Sequence, residues 1–204
     1  MSGKVEEVWE ENFDDPNGKG LRIGCGEHAA ENWVNLDSRD VDGVDIVHDI
    51  RKVSWPIHNS SYDAIMARDV LEHIPHMFSW VWEPKKATAL SRYQHALQTT
   101  ELEDGKILAI HQVDPMVSIV EEMYRISKPG AVWLLQFPVA GEIFQHRDPT
   151  HARGIHPEMF LHWCKDDVLY NSSFDTRGVS IIDFCYGRSY RKSENWNMVV
   201  EVGK

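Results

Sequence analysis

Between Leu21 and Asp37 the sequence reads LRIGCGEHAAENWVNLD. A short apolar run (Leu21 to Ile23) enters two glycines, Gly24 and Gly26, on either side of Cys25, and a second run from Trp33 closes on the acid Asp37. Glycine lets a ligand approach the backbone more closely than a Cβ allows and adopts positive φ, so such a turn after a strand can cradle a nucleotide. An acid at the tip of the next strand can accept from both hydroxyls of a ribose. Gly-x-Gly alone is often only a tight turn, and it is Asp37 that shifts the reading toward a nucleotide site. A second acid, Asp49, ends the largely apolar segment Val44 to Asp49 and precedes Ile50. Capping of the following turn is the simpler account of Asp49 taken by itself.

A second group of reactive side chains falls in GEIFQHRDPTHARGIHPEMF, which holds His146, Asp148, His151 and His156. Three imidazoles and a carboxylate are metal-ligand types. Neither the i, i+4 helical pairing nor the Cys/His spacing of metal motifs is present, and no metal is expected. His151 ranks first as a general base, because a neutral imidazole accepts a proton near neutral pH and Asp148 could hold its tautomer. The plainer alternative is that His151 pins the loop through a backbone hydrogen bond.

Elements must position these groups. Val5, Val8, Trp9 and Phe13 recur at helical spacing opposite Glu6, Glu7, Glu10 and Glu11, which predicts an amphipathic helix ending at Pro16-Asn17-Gly18. Tyr62 to Ala67 reads as a buried strand, and Asp69 to His73 as the opening of a helix. Asp114-Pro115 starts another helix with an N-cap acid and proline in the first turn, and Lys128-Pro129-Gly130 stops it. Ala131 to Pro138 is a strand buried on both faces, and Val179 to Tyr186 with Trp196 to Val202 form a terminal hairpin. Strands interleaved with helices point to a doubly wound α/β domain.

The chain has 204 residues, 42% hydrophobic and 26% charged, enough apolar material for one core, so a single domain over residues 1–204 is expected. No run is long and apolar enough to cross a bilayer, and the first residues are acidic where a targeting peptide would be basic. Cys25, Cys164 and Cys185 are odd in number and lack paired spacing, which fits a reducing compartment, and a cytoplasmic protein is expected. The net charge of −11 argues against a nucleic-acid partner held by a broad basic face.

The strand, Gly24-Cys25-Gly26 turn and Trp33-Val34-Asn35-Leu36-Asp37 resemble the first motifs of class I S-adenosylmethionine-dependent methyltransferases, nearest to the type 11 group. Ser61, Asp63 and Ile65, then Val70, Leu71, Glu72 and His73, match the family's fourth-strand block, and EEMYRISKPGAVWLL matches its fifth. The usual third glycine is absent, with Glu27 and His28 in its neighbourhood, and the gap before Trp33 is too short for a full first helix. The resemblance implies a Rossmann-like doubly wound sheet of order 3-2-1-4-5-7-6 with an antiparallel last strand, and S-adenosylmethionine as cofactor. It implies that Gly24, Cys25, Gly26 and Glu27 border the methionine end and that Asp37 holds the ribose. It also implies that Asp49 accepts from the adenine amino group and that Ile50 packs on the ring. The resemblance places Arg68 and Asp69, which stand where relatives carry a small or polar residue, near the cofactor, with Arg68 meeting a carboxylate of cofactor or substrate or else pairing with Asp69. It also marks residues 77–112 as an insertion, read as a helical cap with a helix from Lys85 to about Leu102 and with Trp80 and Trp82 bordering the acceptor, or as a dimer contact. The implied activity is methyl transfer to a small-molecule or glycan acceptor. A non-catalytic cofactor-binding subunit is the alternative, and a nucleic-acid methyltransferase is disfavoured by charge.

Overall fold

The computed structural model describes residues 3–52, 54–75, 77–82, 96–101, 107–163, 179–188 and 194–203. Its main sheet carries β1 (Gly20–Ile23), β2 (Trp33–Asp37), β3 (Ile46–Val47) and β4 (Tyr62–Arg68) as parallel neighbours in the order β3-β2-β1-β4. β1 and β2 pair Ile23 with Leu36, and β1 and β4 pair Ile23 with Ala67, so the glycine turn leaves the sheet beside both neighbouring strand ends.

A smaller antiparallel sheet separates β4 from the next strand of the main sheet. It consists of β5 (Met77–Trp82), β6 (Ala96–Glu101) and β7 (Ile107–Val113), in the order β5-β7-β6. Residues 96–101 are therefore strand where the sequence predicts the end of a helix. The rest of that helix, 85–95 and 102, lies outside the described residues. The side chains of Trp80 and Trp82 do too. The backbone register pairs residue Trp80 with Ile110 and Trp82 with Leu108 of β7.

β8 (Ser127–Pro138), β9 (Val179–Arg188) and β10 (Glu194–Val202) complete the main sheet, with β10 antiparallel between β8 and β9. Counted along the main sheet alone, the strand order is 3-2-1-4-5-7-6 with an antiparallel last strand, as the resemblance implies.

Helices cover both faces. α1 (Gly3–Asn12) lays Val5 on Trp33, Ala64, Met66, Leu134 and Val199. α2 (Pro115–Ile126) buries Ile119, Val120, Met123 and Ile126 against Leu21, Leu36, Ile65, Leu135 and Phe137 on the opposite face. Both helices obey the period-2 alternation of β4, whose Ala64 and Met66 face α1 while Ile65 and Ala67 face α2. Asp114 caps α2 by accepting from Met116 N at 2.9 Å, and Pro115 occupies its first turn. α2 also braces the segment that leads to β4. Glu122 accepts from Trp55 N at 2.7 Å, and Arg125 donates to Ile57 O and Asn59 Oδ1, both at 2.8 Å.

Candidate functional site

A cleft of about 510 Å³ opens at the carboxyl ends of β1, β2 and β4. Gly24 and Leu36 form its base, and Asp37 with the turn through Arg39 forms one side. His48, Asp49, Ile50 and Arg51 continue that side after β3, while Asp69, Val70, His73, Ile74 and Thr150 face them. Of the residues singled out by sequence, the cleft gathers Gly24, Asp37, Asp49, Ile50 and Asp69.

Asp37 is 7% exposed, yet both carboxylate oxygens are engaged. Oδ2 accepts from Gly26 N at 2.8 Å, and Oδ1 accepts from Arg39 N at 3.0 Å and Arg39 Nε at 3.3 Å. Burial pushes its pKa up, but these N–H groups and the Arg39 charge outweigh burial and hold it below the usual carboxylate range. Oδ2, with one donor, keeps a lone pair for a further donor, and Oδ1 gains one where the exposed Arg39 side chain swings away.

Gly24 sits at φ +64°, and a Cβ there would meet Val70 Cγ2 at 2.4 Å. Gly24 N donates to Leu36 O at 2.7 Å, so this glycine serves the turn and the close approach of Val70. The short link from Gly26 to Trp33 replaces a helix, and the buried amide of Asn35 organises it. Its Oδ1 accepts from Ala30 N at 3.0 Å, and its Nδ2 donates to Ala30 O at 3.0 Å and Trp33 O at 2.9 Å.

Asp49 is held by a forked pair from Arg51, Nε to Oδ1 and NH2 to Oδ2, both at 2.8 Å, and it also caps its own turn through Arg51 N at 3.0 Å. The Arg51 hydrogen bonds outweigh partial burial and keep its pKa low. Ile50 is buried, and its carbonyl accepts from Trp55 Nε1 at 3.0 Å. Asp69 has φ +54° and accepts from Asn195 Nδ2 at 3.1 Å.

Four of the predicted cofactor residues lie outside the cleft lining, as do the predicted catalytic residues His151 and Asp148. Cys25 turns its thiol into the core, where burial raises its pKa. Gly26 stands behind Asp37, and Glu27 is exposed. Arg68 points to the α1 face, its guanidinium 5.5 Å from the Phe13 ring centroid. It lies near enough to Arg22 to add to the burial that lowers the Arg22 pKa.

The His151 loop meets the segment after β4. Ala152 N and Arg153 N donate to Glu72 O at 2.8 and 3.2 Å, and the buried Arg153 donates from Nε to Ile74 O at 2.6 Å and ion-pairs with Asp114. His151 Nδ1 donates to Gln145 O at 3.0 Å. Gln145, rather than Asp148, thus holds the tautomer. Asp148 instead accepts from Thr150 N at 2.8 Å and Thr150 Oγ1 at 2.6 Å, and those bonds keep its pKa low. Thr150 Oγ1 in turn contacts His73 Nδ1 at 2.9 Å.

His151 Nε2 lies 3.9 Å from both Glu72 Oε1 and Asp148 Oδ2. Glu72 is completely buried, and among the described residues neither carboxylate oxygen has a hydrogen-bond partner. Burial raises its pKa to about 8, the nearby charges of Asp69 and Asp148 add to that, and the backbone N–H groups of Glu72 and Val70, close by but outside hydrogen-bonding geometry, draw it only partly back. His146 and His156 are exposed and do not join His151. His73 does, with ring centroids 4.8 Å apart in an edge-to-face arrangement. Sequence reading kept Glu72 and His73 as motif matches and missed their meeting with His151, for which Val70-Leu71-Glu72-His73 was the available signal.

The strand order, the antiparallel last strand and the cleft at the strand ends define the class I S-adenosylmethionine-dependent methyltransferase fold. Solved structures share it. The N-methyltransferase NodS from Bradyrhizobium japonicum WM9 is 12% identical with a TM-score of 0.52, the match covering 99% of this chain and 96% of that one. NodS in complex with S-adenosyl-L-homocysteine gives the same identity and TM-score, covering 99% and 87%. The cyclase SpnF is 14% identical with a TM-score of 0.51, covering 98% and 80%. No family model and no curated protein matches the sequence. Among the described residues no helix is long and apolar enough to cross a membrane.

Proposed function

We propose that this chain binds S-adenosylmethionine in the cleft and transfers its methyl group to a small-molecule or glycan acceptor. The observation that carries the reading is Asp37. A carboxylate kept ionised at the tip of β2, beside a positive-φ glycine turn, suits the two hydroxyls of a ribose. A cleft of about 510 Å³ also falls within the usual range for small-ligand sites, about 300–1,000 Å³.

The residues present fit the cofactor. Asp37 would hold the ribose, Asp49 would accept from the adenine amino group, and Ile50 would pack on the ring. The turn Gly24 to Glu27 would border the methionine end, with Asp69 across the cleft, while Arg68, turned to Phe13 on the α1 face, takes no part in holding the cofactor. When bound, the cofactor supplies an electrophilic methyl group on a sulfonium, and the C–S electron pair stays on sulfur as the acceptor's lone pair forms the new bond. The chain's work is mainly positioning. The acceptor's proton falls to the imidazole pair of His73, which lines the cleft, and His151, whose Nδ1 is held by Gln145 O. Residues 77–112 are assigned either to the rim of the acceptor pocket or to a dimer contact. The acidic charge disfavours a nucleic-acid acceptor, and the odd number and unpaired spacing of the cysteines in the sequence favour a cytoplasmic location.

SpnF, a cyclase on this fold, motivates the second reading, a chain that binds the cofactor without transferring its methyl. Calorimetry with S-adenosylmethionine and S-adenosylhomocysteine tests the binding. Mass spectrometry of candidate acceptors incubated with a deuterated-methyl cofactor tests the transfer. Binding without a labelled product from any acceptor would favour the second reading, and absence of binding would remove both.

A further inference from the structure

Beside the cleft, three side chains from separated parts of the sequence converge. One carboxylate oxygen of Glu72, one ring nitrogen of His73 and one of His151 all lie within 4.8 Å of one another. Glu72 is wholly buried with both oxygens unpartnered. An unpaired buried polar group costs on the order of 1–3 kcal/mol, and more when charged, so a folded chain normally supplies a partner. Among the described residues no Lys or Arg takes that place.

The imidazoles are arranged as metal ligands usually are. His151 gives its Nδ1 proton to Gln145 O, which leaves the Nε2 lone pair on the side of Glu72. Gln145 is itself fixed by donating from Nε2 to Arg153 O at 2.7 Å. Thr150 Oγ1, committed as a donor to Asp148, receives the Nδ1 proton of His73, and Nε2 is then that ring's lone pair. Such outer contacts set tautomer and ring plane in metal centres.

We propose that Glu72, His73 and His151 form a binding site for one divalent transition-metal cation, zinc or a first-row neighbour. Two imidazole nitrogens and one carboxylate oxygen favour such ions over magnesium or calcium, which take oxygen ligands. Bonds of about 2.0–2.2 Å to each donor require the three atoms to close to roughly 3.4 Å, a movement of side chains alone. The exposed Asp148, 3.9 Å from His151 Nε2, stands close enough to complete the shell. The site adjoins the acceptor side of the cleft through His73. It assigns the imidazole pair to ligation in place of proton transfer, and it stands whether or not the cofactor reading holds.

The full chain, stripped with chelator, is titrated with Zn2+ by calorimetry and with Co2+ by visible absorption. One equivalent should bind, with Co2+ giving visible ligand-field bands whose strength reports its coordination geometry. Glu72→Gln, His73→Ala and His151→Ala should each weaken binding by ~100-fold or more, since loss of even an outer contact costs about 10–100-fold. His156→Ala should leave it unchanged. Circular dichroism and cofactor titration check that each variant is folded. No stoichiometric binding by the parent, or equal binding by folded His73→Ala and Glu72→Gln, overturns the site and returns the pair to proton transfer.

Discussion

Gly26 donates its backbone N–H to Asp37 Oδ2 at 2.8 Å, which makes the glycine turn and the acid of the next strand one unit. The turn is anchored a second time through Gly24 N to Leu36 O at 2.7 Å, so the end of β1 and the tip of β2 hold a single geometry. The Arg39 N–H and then the Gly26 N–H keep the acid ionised, and the turn stays in place because the acid accepts.

Gly24→Ala meets two obstacles, a φ of +64° and Val70 Cγ2 at 2.4 Å from the added Cβ. Urea unfolding should show a loss of about 2–5 kcal/mol, combining left-handed strain with overpacking. Gly24→Ala with Val70→Ala should recover part of that loss. Equal stability of Gly24→Ala and the parent would mean that the turn is not built as described.

Acid stability should depend on Glu122. Burial opposes its charge, but Arg125 and Trp55 N outweigh burial and hold its pKa below the usual value. A depressed folded pKa stabilises the fold at pH above the unfolded value, near 4.3, and that contribution fades as pH falls through the folded pKa. Glu122→Gln should therefore be less stable than the parent at pH 7, by about 1–3 kcal/mol, and the gap should shrink toward pH 3. A gap that is constant from pH 7 to pH 3 would detach this carboxylate from acid unfolding.

Replacing residues 77–112 by a short linker should spare cofactor binding and abolish methyl transfer if this segment rims the acceptor pocket. Calorimetry and the labelled-methyl assay read the two effects separately. A variant that keeps full turnover and changes from dimer to monomer in light scattering would assign the segment to an interface.

The sheet was legible because its signals are local. Apolar runs of strand length, a glycine turn and acids at strand tips each sit within a few residues, and the Asp114-Pro115 start of α2 is a motif of adjacent residues. The insertion was not. ALQTTE carries alanine, leucine, glutamine and glutamate, good helix formers, yet it pairs with β7 as strand β6, tertiary pairing overriding propensity. The third strand, expected over Val44–Asp49, is confined to Ile46–Val47 at the sheet edge, where it pairs with Leu36 and Asp37 of β2. At the site, closeness in sequence misled. His151 was grouped with His146, Asp148 and His156, whereas its loop is sewn to Glu72 through the N–H groups of Ala152 and Arg153. Burial of Glu72 emerges only when those distant segments meet.

The central claim is that Asp37 holds the ribose of S-adenosylmethionine or its demethylated product, and calorimetric titration of S-adenosylhomocysteine into parent and Asp37→Ala tests it most directly. The parent should bind one equivalent, and a folded Asp37→Ala should bind at least ~100-fold more weakly, since a charged acceptor shared between two hydroxyls contributes about 1.5–3 kcal/mol per hydrogen bond. Equal affinity of the two chains, or no binding by the parent, would contradict the account.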